Sequence, residues 1–160
     1  MKIAIMGYAG SGKTYLSEYI STKKSIPTLH LDTIKYDLDW KPVDDDTALR
    51  QVSEFMQKGS WIIEGNYEKM LQSERLEAAD QIIFVLLPPL TCLFRAIKRT
   101  KNRQAEGYKN DMNLFFIRFV LFGCRTKARR QHYAEIIEKY KDKTVVLKSQ
   151  KQIDKFMESV

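Results

Sequence analysis

The sequence predicts an α/β fold of three layers, a five-stranded parallel sheet with helices on both faces. Three observations carry this. The segments KIAIM, IPTLHL, WII, QIIFVLL and TVVL are apolar almost throughout, as strands buried on both faces are, instead of alternating with polar residues. Stretches of helical spacing separate them, the order expected of parallel strands joined by crossover helices. The 160 residues suffice for one well-buried core and contain no repeat, low-complexity tract or linker, so a single domain over 1–160 is expected.

Lys2 to Met6 is a β-branched apolar run that stops at a glycine and reads as the first strand. After Lys13, the residues Tyr15, Leu16, Tyr19 and Ile20 recur at helical spacing. Ile26 to Leu31 reads as the second strand and ends at Asp32. Asp44, Asp45, Asp46 and Thr47 supply start chemistry for a helix whose Leu49, Val52, Phe55 and Met56 share a face. These aspartates read as caps and dipole partners, not metal ligands. Trp61 to Ile63 forms the third strand, ending at Glu64 and Gly65, and a polar helix is expected over Tyr67 to Ala79. Gln81 to Leu87 is the strongest strand signal and is closed by Pro88 and Pro89. A basic helical segment at 91–103, a polar break at 104–111, an aromatic-rich segment at 112–123 and a second basic helix over about 125–141 follow. Thr144 to Leu147 makes the fifth strand and Gln152 to Met157 a terminal helix.

Hydrophobic residues make up 44% of the chain and aromatic ones 11%, the composition of a folded protein. The chain opens on an apolar segment without a charged leader, and its longest apolar run, Leu114 to Phe122, is interrupted by Arg118 and is too short for a bilayer. A cytoplasmic protein with no membrane partner is therefore expected. Cys92 and Cys124 have no paired spacing, and His30 and His132 stand apart, so neither pair announces a metal. The net charge of +7 is regional. From Arg95 to Arg130 eleven Lys and Arg face only Glu106 and Asp111, a local excess of nine, so the remainder is slightly acidic. An anionic partner for this region is expected.

Gly7-Tyr8-Ala9-Gly10-Ser11-Gly12-Lys13-Thr14 matches G-x-x-x-x-G-K-[ST], with a strand before it and a helix after. Glycines let the backbone turn tightly and let N–H groups approach phosphate oxygens. The helix start directs its partial positive charge at the same anion. Lys13 adds a full charge for the terminal phosphates, and the Thr14 hydroxyl suits magnesium. The motif thus predicts a P-loop NTPase fold binding ATP and Mg2+ through residues 7–14. No N/T-K-x-D base-reading tetrapeptide is present, which disfavours a GTPase. An acid for the metal is expected at the end of an apolar strand, and both Asp32 and Glu64 offer one.

GYAGSGKT, LHLDTIKYDLDW, WIIEGNY, ADQIIF and RTKARR together resemble the bacterial DNA topology modulation proteins, small members of the adenylate-kinase-like branch of P-loop proteins. The likeness runs from residue 1 to about 150. It implies a nucleoside-monophosphate-kinase-like fold with an arginine-bearing lid. Glu64-Gly65 stands where adenylate kinases carry Asp-Gly, but Asn66-Tyr67 follows where those carry Phe-Pro-Arg, which weakens a reading as an ordinary AMP-using enzyme.

Arg95, Arg99 and Arg103 recur at intervals of four, along one side of a helix. Arg125 and Arg129, with Lys127 or Arg130, form a second rail beyond the polar break. A helical lid inserted over about 99–129 is expected, with Arg99, Arg125 and Arg129 neutralising charge on the transferred phosphoryl group. Phe115, Phe116, Phe119 and Phe122 read as buried lid packing or a subunit interface.

The function expected is transfer of the ATP γ-phosphoryl group to a small acceptor, a nucleoside monophosphate or a hydroxyl compound. Lys13, Asp32, Arg99, Arg125 and Arg129 form the catalytic set, and Thr14, Asp32 and Glu64 the metal set. Asp32, Trp40, Gly65, Asn66 and Tyr67 line the acceptor side. With a hydroxyl acceptor Asp32 serves as general base; with a phosphate acceptor it orients the metal's water shell. A nucleotide-dependent nucleic-acid-binding or regulatory protein is the second reading, although no helix-turn-helix, zinc module or RNA motif appears. A nucleotide-binding protein with little catalysis is the third.

Overall fold

The apolar runs assemble into one sheet because each strand has two faces to cover. In the computed structural model, which describes residues 1–36, 43–105 and 113–160 (with 102–105 by backbone alone), the strands are β1 (Lys2–Gly7), β2 (Thr28–His30), β3 (Trp61–Glu64), β4 (Gln81–Val85) and β5 (Thr144–Leu147). Their order is β2-β3-β1-β4-β5, every neighbouring pair parallel. The helices are α1 (Lys13–Lys24), α2 (Leu31–Lys35), α3 (Asp45–Met56), α4 (Gln72–Ala78), α5 (Pro89–Ala105), α6 (Leu114–Leu121), α7 (Lys127–Lys139) and α8 (Gln150–Ser159).

Alternate residues of each strand feed two cores. Ala4 and Met6 of β1 join Val52 of α3, Leu76 of α4 and Tyr133 and Ile136 of α7 on one face. Ile3 and Ile5 join Leu16 and Ile20 of α1, Cys92 of α5, Val120 of α6 and Ile153 of α8 on the other. This is the three-layer arrangement that apolar parallel strands require. Among the described residues no helix is long and apolar enough to cross a membrane.

Several boundaries differ from the expectation for local reasons. β2 spans Thr28–His30: Pro27 has no N–H for the ladder, and Leu31 already begins α2. Asp32 therefore lies in the first turn of a short helix and not at a strand end. The helix expected from Tyr67 starts at Gln72, after a turn in which Leu71 takes φ 55°. The second basic helix starts at Lys127, where the Thr126 side chain accepts from Arg129 N, after a 3-10 turn at Gly123–Arg125. Of the two expectations for the aromatic segment, buried packing is corrected for two of its four rings, Phe116 and Phe119 being half-buried. Phe115 and Phe122 are 79% and 70% exposed while Val120 is buried, because a helix apolar all round can meet the core along one side only. Trp40 and most of the polar break lie outside the described residues.

The turn before α4 is held by Arg75, which is fully buried. Its Nε donates to Met70 O at 2.8 Å and its Nη2 to Tyr67 O at 2.9 Å. Burial lowers its pKa to about 10, with Glu74 opposing. Removing the guanidinium takes the side-chain donor from the buried Met70 carbonyl, at about 1–3 kcal/mol, leaves Tyr67 O with Met70 N alone, and empties a fully buried side-chain site. Arg75→Ala is therefore expected to destabilise the fold by about 2–4 kcal/mol in urea unfolding.

Candidate active site

β1 lies inside the sheet, between β3 and β4. The connections leaving β1 and β3 run to opposite sides, so a crevice opens beyond their carboxyl ends, where ligands of open α/β sheets gather. The loop Gly7–Thr14 fills the floor of that crevice. Gly12 takes φ 94° and starts α1 with no side-chain cap. The first helical hydrogen bond runs from Leu16 N to Gly12 O, so the amides of Lys13, Thr14 and Tyr15 have no carbonyl within the helix to meet. Donors and helix dipole together make an anion site. Gly10, at φ 73°, lies against α5 so closely that a Cβ would stand 2.5 Å from Cys92 O. The loop is closed by Ser11 N donating to Tyr8 O at 3.2 Å. Ser11 is buried and its Oγ has no partner among the described residues, while Tyr8 and Ala9 pack partly against the core.

Glu64, at the end of β3, is 4% exposed and gathers the loop's functional groups. Thr14 Oγ1 donates to its Oε2 at 3.2 Å. Lys13 Nζ lies 3.7 Å from its Oε1 and donates to Tyr8 O at 3.1 Å. His30 Nδ1, one strand away, meets Oε2 at 3.2 Å. Burial pushes the Glu64 pKa up, but the His30 hydrogen bond, the Lys13 and His30 charges and the Thr14 hydrogen bond outweigh it, and the net shift is downward. His30 moves the other way, chiefly through the Glu64 hydrogen bond, with burial opposing. The sequence reading missed His30: the parallel pairing that sets it opposite Glu64 is invisible until strand order is known.

The acceptor-side residues divide. Tyr67 Oη donates to Asp32 Oδ1 at 2.6 Å, and burial followed by the Asp32 hydrogen bond raises the Tyr67 pKa well beyond its usual range. The phenol therefore stays a donor and orients an exposed carboxylate. Asn66 is turned to the loop: its Oδ1 accepts from Gly7 N at 3.0 Å and its Nδ2 donates to Gly7 O at 2.7 Å. Both its polar functions go to positioning. Gly65 packs against Leu31, where a Cβ would lie 2.8 Å from that side chain's Cβ.

The arginines also divide. Arg125 stacks on the Tyr8 ring, guanidinium carbon 3.9 Å from the centroid, and donates from Nη2 to Leu87 O at 3.2 Å. Its Nε and Nη1 are buried without a hydrogen-bond partner among the described residues. Arg129 is half-buried beside Tyr133, whose pKa burial raises to about 12 against the pull of that arginine. Arg99 is exposed on α5. One turn earlier, Arg95 reaches the loop, donating to Ser11 O at 2.5 Å. The interval of four identified their shared side but not which member faced the loop.

Of the three expected metal ligands, Thr14 and Glu64 converge, and Asp32 is instead engaged by Tyr67. No group of three or more His, Cys, Asp or Glu that could hold a metal occurs among the described residues. Hydroxyl and carboxylate oxygens suit magnesium, which commonly relies on one or two protein ligands plus water and phosphate.

No protein-family model matches the chain, so membership of the DNA topology modulation proteins is not shown. No curated protein matches it by sequence. Its structure is similar to that of an uncharacterized protein from Eubacterium ventriosum, at 14% identity and TM-score 0.51 over 99% of this chain and 97% of that one. It is also similar to shikimate kinase from Bacteroides thetaiotaomicron, at 16% identity and TM-score 0.51 over 99% and 95%. At such identities the similarity is one of fold. The chain has a P-loop NTPase fold of the kind found in kinases.

The His30–Glu64 pair gives stability a pH dependence in the metal-free protein. His30, raised above its ordinary 6.5, contributes stability that is complete below that value and lost as pH rises through the folded-state value. Glu64, lowered below its ordinary 4.5, contributes above that value and loses this as pH falls through the folded one. His30→Gln should therefore show its largest deficit in urea unfolding near about pH 5.5 and a smaller one above about pH 8.

Proposed function

We propose that the protein is an ATP-dependent phosphotransferase that moves the γ-phosphoryl group, with Mg2+, to a small acceptor. One observation carries this reading: Lys13 and Thr14 meet a single buried carboxylate, Glu64, at the head of an uncapped helix. A triphosphate laid on the loop would take the amides of α1 and the charge of Lys13. Thr14 and Glu64 would hold magnesium, which when bound neutralises charge on the terminal phosphates. Arg95 and Arg125 stand at the loop from the β4 side and supply positive charge for the transferring group, where preorganised donors act most strongly. Arg129 follows from α7. Arg99 is the least engaged member of the proposed lid over 99–129. Asp32, Gly65 and Tyr67 border the acceptor side.

A nucleotide-dependent nucleic-acid-binding role, the second reading, draws support from exposed basic residues such as Lys98, Arg99 and Lys127. One experiment separates the two. ADP release from Mg-ATP is followed with a panel of small acceptors, and again with single-stranded or duplex DNA at two salt concentrations. The expected result is stimulation by a small molecule, falling by about 100-fold or more in Lys13→Ala. Turnover that instead follows salt-sensitive DNA binding favours the second reading; no response to either leaves a nucleotide-binding protein with little catalysis. Arg95→Ala should lower turnover more than Arg99→Ala, because Arg95 bonds to the loop whereas Arg99 is exposed.

A further inference from the structure

Charge is sorted across the phosphate loop. On the β4 side stand Arg95, bonded to Ser11 O, and Arg125, stacked on Tyr8 with two buried donors that have no partner among the described residues. On the β2 and β3 side stand Glu64, Asp32 and Glu18, the last 4.0 Å from His30 Nε2. Among the described residues, three cations on that side already have partners. Lys13 is shared by Glu64 and Tyr8 O, Lys35 pairs with Asp45, and His30 lies between Glu64 and Glu18. A triphosphate therefore has its guanidiniums on one flank, and whatever approaches along the other meets the exposed carboxylate of Asp32.

We infer, building on the phosphotransferase reading, that the acceptor is an uncharged or cationic hydroxyl compound and not a nucleoside monophosphate, and that Asp32 takes its proton. A phosphate monoester carries about two negative charges at neutral pH and would come to rest beside the exposed Asp32 carboxylate with like charges opposed. A hydroxyl meets a carboxylate already prepared for it. Tyr67 fixes Asp32 through Oδ1 at 2.6 Å, and among the described residues Oδ2 has no partner, which leaves it to accept from the incoming group. Asp32 is exposed, as a base that must reach a diffusing acceptor has to be. In the step, the acceptor oxygen bonds to the γ-phosphorus as the bond to the β–γ bridging oxygen breaks. That electron pair leaves with the nucleoside diphosphate, and the hydroxyl proton passes to Asp32 and on to solvent.

Three measurements on the full chain test this. Product formation is compared for nucleoside monophosphates, uncharged polyols and nucleosides, and amino alcohols. Asp32→Asn is assayed for kcat and separately for ATP affinity. Diadenosine pentaphosphate, which carries a phosphate chain into the acceptor side, is titrated against ATP. Expected are phosphorylation of an uncharged or cationic hydroxyl compound and a loss of about 100-fold or more in kcat for Asp32→Asn, with ATP affinity within about twofold. The pentaphosphate should bind no more tightly than ATP, a readout that holds whether or not the panel contains the natural acceptor. A pentaphosphate bound about 100-fold more tightly, or a nucleoside diphosphate formed from a monophosphate, overturns the acceptor class while leaving the phosphotransferase reading in place. An Asp32→Asn enzyme with unchanged kcat overturns the role of Asp32. ATP affinity indifferent to Lys13→Ala defeats the parent reading instead.

Discussion

The buried carboxylate of Glu64 is the constraint on which the site is built. An ionised group at 4% exposure is costly unless each oxygen is paired. Here its partners come from two elements: His30 from β2, and Lys13 and Thr14 from the first turn of α1, where the loop ends. Satisfying one carboxylate thereby fixes the register of β2 against β3, the direction of the loop lysine and the rotation of α1. The downward pKa of Glu64 says that these partners outweigh its burial.

A second set of contacts transmits order from the core to the crevice. Arg75 holds the Tyr67 carbonyl, and the Tyr67 hydroxyl holds Asp32. Next to it, Asn66 clamps both polar groups of Gly7, the first residue of the phosphate loop. The segment leaving β3 thus acts as a splint between the loop and the acceptor side. Such supporting residues matter because a misplacement of about 1 Å at reacting groups can cost on the order of 100-fold in rate.

The sheet and the loop were legible in the sequence because their signals are local. An apolar run reports a two-faced strand, and glycines with a lysine and a threonine between strand and helix report an anion cradle. What stayed hidden depended on pairing across the sheet. His30 looked solitary because its partner is 34 residues away and is reached only through the β2–β3 register. Asn66 looked like an acceptor ligand because its neighbours Gly65 and Tyr67 suggested a pocket, whereas its amide matches the backbone of Gly7. Phe115 and Phe122 stand exposed where Phe116 and Phe119 are half-buried, since hydrophobicity sets how much surface a helix would bury but not how much core it is offered.

On the proposed reading, charge balance at Glu64 links the two ligands of the loop. Lys13 stands between the carboxylate and the Tyr8 carbonyl, at the place where a terminal phosphate would claim it. As the phosphate draws Lys13 away, Glu64 keeps His30 and Thr14 but loses a full positive charge at a buried position. A divalent cation held by Thr14 and Glu64 would restore that balance and at the same time meet the phosphate's own charge. Anion and cation then favour each other's binding by equal amounts, as linkage requires. The carboxylate that orders the loop in isolation thus makes the loaded site depend on both ligands together, and the lysine serves whichever anion is present.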